Sequence, residues 1–222
     1  MKNILKGLFT KKEVATQKTL LETVEQNANS LCIVGAAGTG KTIALGEMAA
    51  EAMKRDENVF IFDHTDAAAD VNVKIVEFLS TEVPAGRTLF VFDEFGYTGA
   101  IPAIMPLLCN ARKYKATTAI AFSDLSKIEK VYGKNTAQGI INSCNNFLVF
   151  NCGVDTGTAE YFAQSLGIET VKTAGLPKLT GYLKTSREPA ELRTVELAAD
   201  NSFVRAVAAG ADPTGVTFTE GK

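Results

Sequence analysis

Short apolar runs alternate with helical stretches along the middle of this chain. The apolar runs predict buried parallel strands, because strands covered on both faces read as unbroken Val, Ile, Leu and Phe segments. These runs are Leu31–Val34, Val59–Phe62, Thr88–Phe92, Thr117–Phe122 and Phe147–Phe150. The helical stretches between them are Thr42–Met53, Val71–Leu79, Ile101–Lys113, Ser126–Val131 with Thr136–Asn142, and Ala159–Leu166. This alternation predicts a doubly wound α/β fold with a mainly parallel sheet and helices on both faces.

The two ends of the chain have different patterns. Residues 1–29 are polar with an apolar stripe, and Met1–Phe9 reads as a short amphipathic helix. That helix is either a membrane-surface anchor or, as we favour, a helix packed on its own domain or on a neighbouring subunit. Two short strand-like segments, Thr180–Thr185 and Leu192–Leu197, flank a turn and predict a β-hairpin on the sheet edge. The expected division is an N-terminal helical segment at 1–29, a central domain at 30–199 and a tail at 200–222.

Composition narrows the functional classes. The chain has 222 residues, 46% of them apolar, which suffices for one sizeable core. It contains no apolar stretch long enough for a membrane span and no secretory signal pattern. Its four cysteines form no C-x-x-C pair, so we expect no metal or disulfide framework and a cytoplasmic location. With a net charge of −2, any nucleic-acid contact must come from a local basic patch.

The strongest motif follows the first predicted strand. The segment 35–42 fits the phosphate-loop pattern G-x-x-x-x-G-K-[ST] between a strand and a helix. Its nucleotide-binding residues are Gly35, Ala36, Ala37, Gly38, Thr39, Gly40, Lys41 and Thr42. The glycines let successive backbone N–H groups face a phosphate chain, and the helix adds its positive end. Lys41 is expected to reach the β- and γ-phosphates, and the Thr42 hydroxyl to bind Mg²⁺.

A pair of carboxylates ends the third predicted strand. Asp93 and Glu94 directly follow the apolar run Thr88–Phe92. Beside a phosphate loop, Asp93 can hold Mg²⁺, and Glu94 can accept a proton from the water that attacks the γ-phosphate. In nucleoside triphosphatases with a catalytic glutamate, an additional strand separates the two motifs. Thr117–Phe122 is the natural candidate for that strand.

Seven further stretches occur in an order and spacing typical of one protein family. They are Asp93–Phe95, Ile101–Ala103, Leu107–Tyr114, Leu125–Gly133, Ala137–Asn142, Thr158–Tyr161 and Leu176–Tyr182. Together they resemble the TraD/TraG-type coupling ATPases of conjugation and type IV secretion, within the wider FtsK/HerA group of DNA translocases. The resemblance covers roughly half the chain. It implies a RecA-like phosphate-loop fold that uses ATP and Mg²⁺.

The resemblance also implies roles for single residues. Lys41 and Glu94 take catalytic roles, and Arg112 matches the arginine that a neighbouring subunit inserts into the nucleotide site. The alternative for Arg112 is a solvated residue at a helix end. Where the family usually has a glutamine that senses the γ-phosphate, this chain has Ser123, whose hydroxyl can still bond a phosphate or water over a shorter reach.

The function implied by the resemblance is an ATP-hydrolysing motor that pumps DNA through a homo-hexameric ring. Candidate DNA-contacting residues in its channel are Lys74, Lys113, Lys115, Lys127, Lys130 and Lys134. The family generally has N-terminal membrane helices, of which this sequence shows none. It also has a large helical lobe between the loop and the acidic strand, for which the 52 residues from Lys41 to Asp93 leave no room. The expected site of action is therefore the cytoplasm. A further expectation is that another subunit attaches the protein to a secretion complex at the inner membrane. Two alternatives stay open: a secretion or packaging ATPase acting on protein, and an ATP-gated assembly subunit with little turnover.

Overall fold

A seven-stranded sheet forms the centre of the molecule. The computed structural model describes residues 18–195. The strands are β1 (Ser30–Val34), β2 (Asn58–Phe62), β3 (Thr88–Phe92), β4 (Ala116–Phe122), β5 (Asn146–Val149), β6 (Thr180–Lys184) and β7 (Glu191–Thr194). They lie in the order β2-β3-β4-β1-β5-β6-β7. The first five in this order pair in parallel, whereas β6 and β7 add to β5 as an antiparallel hairpin.

Helices cover both faces of the sheet. They are α1 (Leu20–Gln26), α2 (Lys41–Lys54), α3 (Ala68–Ser80), α4 (Ile104–Asn110), α5 (Leu125–Tyr132), α6 (Lys134–Asn142), α7 (Thr156–Leu166) and α8 (Val171–Ala174). The predicted RecA-like α/β fold with a hairpin on the sheet edge is therefore confirmed. Strand β4 lies between β1 and β3, as expected for the additional strand.

Alternate residues of each buried strand supply two separate cores. On β1, Leu31 and Ile33 face α1 and α2, whereas Cys32 and Val34 face the core shared with α3 to α7. This follows from the two-residue period of a strand, which sends successive side chains to opposite faces. Because β1, β3 and β4 are buried along their whole length, both faces must be apolar, and the sequence shows no polar alternation there.

Helix α4 is shorter than the predicted Ile101–Lys113. At its start, Pro102 lacks an amide hydrogen, and the Ala103 amide donates to Asn72 Oδ1 at 2.8 Å instead of joining a helix. At its end, the chain tightens into turns, and the Ala116 amide donates to the Ala111 carbonyl at 2.8 Å. Arg112 therefore lies in the turn before β4 and not in the helix.

Helix α1 packs against the rest of the domain. Thr19 and Glu22 form a reciprocal capping box at its start, and its buried residues Leu20, Leu21 and Val24 join the core beside α2. The predicted helix at Met1–Phe9, the end of the second hairpin segment and the tail at 200–222 lie outside the described residues. The division of the chain at residues 29 and 199 stays a prediction. None of the helices within residues 18–195 is long and apolar enough to cross a membrane.

Candidate active site

The phosphate loop joins β1 to α2 at the edge where the parallel strands end. A Cβ atom on Gly35 would lie 2.7 Å from both Phe150 Cβ and Thr39 Oγ1, so only glycine fits there. Gly40, which precedes the first residue of α2, has a φ of 128° that a residue with a side chain rarely adopts. Close packing therefore requires glycine at position 35, and the backbone conformation favours it at position 40.

Two neighbouring segments hold the loop from outside. The amide of Ala36 donates to the Asn151 carbonyl at 2.8 Å, and the amide of Leu179 donates to the Thr39 carbonyl at 2.8 Å. Within the loop, the Thr39 hydroxyl donates to the Ala36 carbonyl at 2.8 Å. The first two bonds hold the loop against its neighbours, and the third closes the loop on itself.

Lys41 lies buried inside the loop with only 4% of its surface exposed. Its ammonium donates to the carbonyls of Gly35 at 2.9 Å and Ala36 at 3.2 Å, and it lies 3.7 Å from Glu94 Oε1. A buried ammonium needs anionic or carbonyl partners, and here the loop itself supplies most of them. Phosphate oxygens entering the loop would give this cation a stronger charge-assisted partner.

Thr42 and Asp93 meet at the start of α2. The Thr42 hydroxyl donates to Asp93 Oδ2 at 2.7 Å, and the Glu94 amide donates to Asp93 Oδ1 at 3.0 Å. Burial raises the pKa of Asp93, and the neighbouring Glu94 carboxylate adds to this increase, while the hydrogen bond from Thr42 and the Lys41 cation oppose it. The Thr42 hydroxyl oxygen and the Asp93 carboxylate oxygen are adjacent and are of the kind that Mg²⁺ prefers as ligands. The charge of Mg²⁺ would favour the ionised form of Asp93.

Glu94 is held by the strand beside it. Its backbone has a φ of 48°, in the left-handed region, and the next amide, that of Phe95, donates to the Ala121 carbonyl at 2.9 Å. The Ser123 hydroxyl donates to the Glu94 carboxylate at 3.3 Å and 3.4 Å. The sequence predicted that the Ser123 hydroxyl can bond a phosphate or water, and in this structure its partner is the Glu94 carboxylate. Lys41, Thr42, Asp93, Glu94 and Ser123 thus converge at one edge of the sheet.

Arg112 lies far from this cluster in its own chain. It precedes β4, whereas the phosphate loop follows β1, which is parallel to β4, so the two lie at opposite ends of the strands. Seven residues of β4 span roughly 23 Å at about 3.3 Å per residue. The Arg112 side chain is exposed. Its role in a nucleotide site stays a prediction, and only a site in another subunit is compatible with this position.

The six lysines suggested for a DNA channel do not form one patch. Lys113 and Lys115 lie in the turns before β4, at the opposite edge from the phosphate loop, whereas Lys127 lies on α5, just after the end of β4. Lys127 contacts the Tyr97 hydroxyl and lies 4.2 Å from the centre of its ring. Tyr97 is three residues after Glu94 and 55% exposed. Lys127 therefore lies at the same end of the parallel strands as the acidic pair and contacts a residue close to it in the chain.

Sequence reasoning missed the residues that support the loop from outside. Phe150 lies beneath Gly35, Asn151 accepts from Ala36, and Leu179 bonds Thr39. The one signal for any of them was that Leu179 belongs to the family-like stretch Leu176–Tyr182, to which no role was given. These contacts join segments far apart in the chain, so spacing alone could not reveal them.

We expect that Asp93→Asn stabilises the nucleotide-free protein at neutral pH. Because the pKa of Asp93 is raised in the folded state, its protonated form contributes stability at acidic pH that is lost as the pH rises through that pKa. Asparagine is uncharged; its oxygen can accept from the Glu94 amide, and its NH2 group can donate to the Thr42 hydroxyl oxygen. The free energy of unfolding should rise by about 0.5–2 kcal/mol. Each kcal/mol corresponds to an increase of about 2–4 °C in Tm for a domain of this size.

Thermal unfolding measured from pH 4 to pH 8 without magnesium checks this expectation. The difference between the two proteins should grow with pH. Asp63→Asn is the matched control, because Asp63 ends the neighbouring strand β2 and its carboxylate accepts from Thr65, away from Thr42. A variant at Asp93 no more stable than the parent at neutral pH would contradict the expectation.

Comparison with known proteins agrees with the family named from the sequence. Residues 87–189 match the family described as the TraM recognition site of TraD and TraG. The conjugal transfer protein TraG of Rhizobium radiobacter is 28% identical over 102 residues, or 46% of this chain. The matched segment spans only 16% of the length of that protein.

Solved structures share the fold over most of the described chain. The plasmid coupling protein TrwB in complex with the non-hydrolysable ATP analogue ADPNP has a TM-score of 0.70 at 14% identity, covering 79% of this chain and 87% of that chain. TrwB in complex with ADP and Mg²⁺ also has a TM-score of 0.70, at 13% identity and with the same coverage of both chains. Together with the family match, these likenesses confirm the resemblance to TraD/TraG-type coupling proteins.

Proposed function

We propose that this chain, similar in sequence and fold to TraD/TraG-type coupling proteins, is a Mg²⁺-dependent ATPase that moves DNA through a ring of its own copies. The observation that carries the proposal is the convergence of the loop and the acidic strand. The Thr42 hydroxyl lies 2.7 Å from Asp93, and the Lys41 ammonium lies 3.7 Å from Glu94. These are the four groups that phosphoryl transfer to water requires on one subunit.

Each group has a distinct task in hydrolysis. The backbone amides of the loop and Lys41 hold the β- and γ-phosphates, so Lys41 exchanges its loop carbonyl partners for phosphate oxygens. Thr42 and Asp93 would hold Mg²⁺, which when bound neutralises charge on the phosphates. Glu94 accepts the proton of the attacking water. Ser123, which donates to Glu94, keeps that carboxylate in place and so serves the same step.

In a ring of subunits, a neighbouring subunit supplies the further positive charge that stabilises the transition state. Arg112 lies exposed at the sheet edge opposite its own loop, so it can neutralise the transition state only at a neighbour's site. ATP bound between two subunits would draw them together, and hydrolysis would release them. Lys127 and Tyr97, near the acidic pair, offer a cation and an exposed ring for a nucleic-acid strand. In the cell, the motor works in the cytoplasm and serves a secretion complex at the inner membrane.

The direct test is the rate of ATP hydrolysis with single-stranded DNA, double-stranded DNA or RNA added, and with ring formation followed by light scattering. DNA should stimulate hydrolysis, and added salt should weaken this stimulation, because phosphate contacts release counterions. Magnesium-dependent ATP binding with no response to any nucleic acid would contradict DNA movement while leaving the ATPase intact. No magnesium-dependent ATP binding would contradict the whole proposal.

The dispersed lysines favour a second candidate, an ATPase that moves protein. Within residues 18–195, Lys113 and Lys127 lie at opposite ends of the parallel strands, so the candidate lysines are divided between two surfaces. A protein-moving ATPase would respond to a protein partner and not to DNA. The same hydrolysis assay separates the two candidates.

A further inference from the structure

Leu179 has a backbone conformation that leucine rarely adopts. Its φ is 64°, in the left-handed region, where Cβ crowds the backbone. It is the third residue of a turn from Pro177 to Thr180, closed by a hydrogen bond from the Thr180 amide to the Pro177 carbonyl at 3.2 Å. Glycine or asparagine usually fills a turn position with positive φ. Unfavourable conformations of this kind persist where surrounding contacts impose them, and they often occur near functional sites.

Three contacts impose the conformation, and two of them reach the phosphate loop. The Leu179 amide donates to the Thr39 carbonyl at 2.8 Å, and the Leu179 carbonyl accepts from the Val195 amide at 2.8 Å. A Cβ atom on Gly40 would lie 3.1 Å from Leu179 Cδ2 and 3.3 Å from Leu179 Cα. Leu179 therefore covers the loop just before Lys41.

The bond to Thr39 fixes the direction of an adjacent amide. The Thr39–Gly40 peptide is trans and planar, so its C=O and N–H groups point in opposite directions. With the Thr39 carbonyl turned toward Leu179, the Gly40 amide hydrogen must point away from Leu179. In a phosphate loop, amide hydrogens of this kind are the donors that hold phosphate oxygens.

We infer that Leu179 is a positioning residue for phosphate binding. It holds the Thr39–Gly40 peptide so that the Gly40 amide faces the phosphate chain of the nucleotide, and it does so without touching the nucleotide itself. The inference rests on the proposed function, because it names a residue that prepares that site. It also gives a reason for a leucine in a left-handed turn: the side chain covers Gly40 while the amide binds Thr39.

Two substitutions separate the amide from the side chain. Leu179→Gly adopts a positive φ without strain and keeps the amide that donates to Thr39. Leu179→Val is branched at Cβ and strongly disfavours a positive φ, so the turn should shift and the bond to Thr39 should break. Leu192→Val is the matched control, since Leu192 lies on the same hairpin and is 59% exposed.

Calorimetric titration with Mg²⁺–ADP, followed by steady-state ATPase measurements, tests the inference. Leu179→Val should raise the Kd at least about tenfold, whereas Leu179→Gly and Leu192→Val should stay within about threefold of the parent. In turnover, Leu179→Val should raise KM with little change in kcat, as for a lost contact that is equal in the ground and transition states. A general loosening of the fold would lower kcat as well.

Each other result counts against the inference in a recognisable way. If Leu179→Val binds Mg²⁺–ADP like the parent, Leu179 does not position the loop, while the nucleotide function stands. If Leu179→Gly weakens binding as much as Leu179→Val, the side chain and not the amide is responsible, and the inference is wrong. If the parent and Leu192→Val both fail to bind, the proposed function has failed, and this inference fails with it.

Discussion

Glu94→Gln should abolish most ATP hydrolysis while leaving ATP binding nearly intact. Glutamine keeps the size of the side chain and can still accept from Ser123, but it cannot take a proton from the attacking water. Loss of a general base costs about 10²–10⁴ in rate. The Lys41 ammonium keeps its bonds to the carbonyls of Gly35 and Ala36, so the loop should retain its shape. Single-turnover hydrolysis and equilibrium binding of ATP measure the two effects separately.

Glu77→Gln is the control for this substitution. Glu77 is exposed on α3, outside the converging cluster, and its change should leave both hydrolysis and binding unaltered. If the parent hydrolyses ATP no faster than Glu94→Gln, then the intact protein has no glutamate-dependent turnover. That outcome would favour the ATP-gated assembly subunit over every enzymatic function.

Arg112→Ala should reduce ATP turnover in the assembled ring. It should leave the ATP affinity of an isolated subunit unchanged. An arginine inserted from a neighbour is typically worth 10³–10⁵ in rate, and a fall of about that size is expected in the assembled ring. Because Arg112 lies at the sheet edge opposite its own loop, an effect on hydrolysis requires contact between subunits. ATPase rates measured against protein concentration should show the parent gaining activity on assembly and the variant failing to gain it.

Mixed assemblies provide the decisive control. Subunits with Arg112→Ala keep an intact loop, and subunits with Lys41→Ala keep the arginine, so some interfaces in a mixture regain a complete site. Activity should therefore rise on mixing two inactive proteins. Cys109→Ser, exposed on α4 three residues before Arg112, should behave like the parent. No rescue on mixing would argue against a site shared between subunits.

The strand pattern and the phosphate loop were readable from the sequence because both depend on local order. Continuous apolar runs located all five parallel strands to within one residue at each end, and the runs are clearest for β1, β3 and β4, which are buried on both faces. The predicted boundaries of α4 were wrong because contacts outside the helix decide them, a side-chain acceptor at its start and a backbone bond from Ala116 to Ala111 at its end. Asn72, on α3, binds the Ala103 amide, and no local signal in the predicted helix indicates this.

In the candidate site as well, some features were readable from the sequence and others only from the structure. The loop and the acidic pair carry their chemistry in residue type and order, and the sheet brings them together because their strands run parallel with one strand between them. Ser123 was named from the sequence as able to bond a phosphate or water, and its bond to Glu94 in the structure depends on the left-handed turn at Glu94. The separation of Arg112 from its own loop followed from strand direction, which the motif alone does not give.

The sequence by itself determined the class of fold, the loop with the phosphate-loop pattern and the pair of acids that lies beside it. These features are set by local backbone freedom, by the burial of short apolar runs and by residue types that only certain chemistry needs. The tertiary structure alone decided that Leu179 bonds Thr39, that Ser123 bonds Glu94, and that Arg112 faces away from its own loop. Each of these depends on contact between segments distant in the chain, because packing and strand direction, and not residue order, bring such groups within hydrogen-bonding distance.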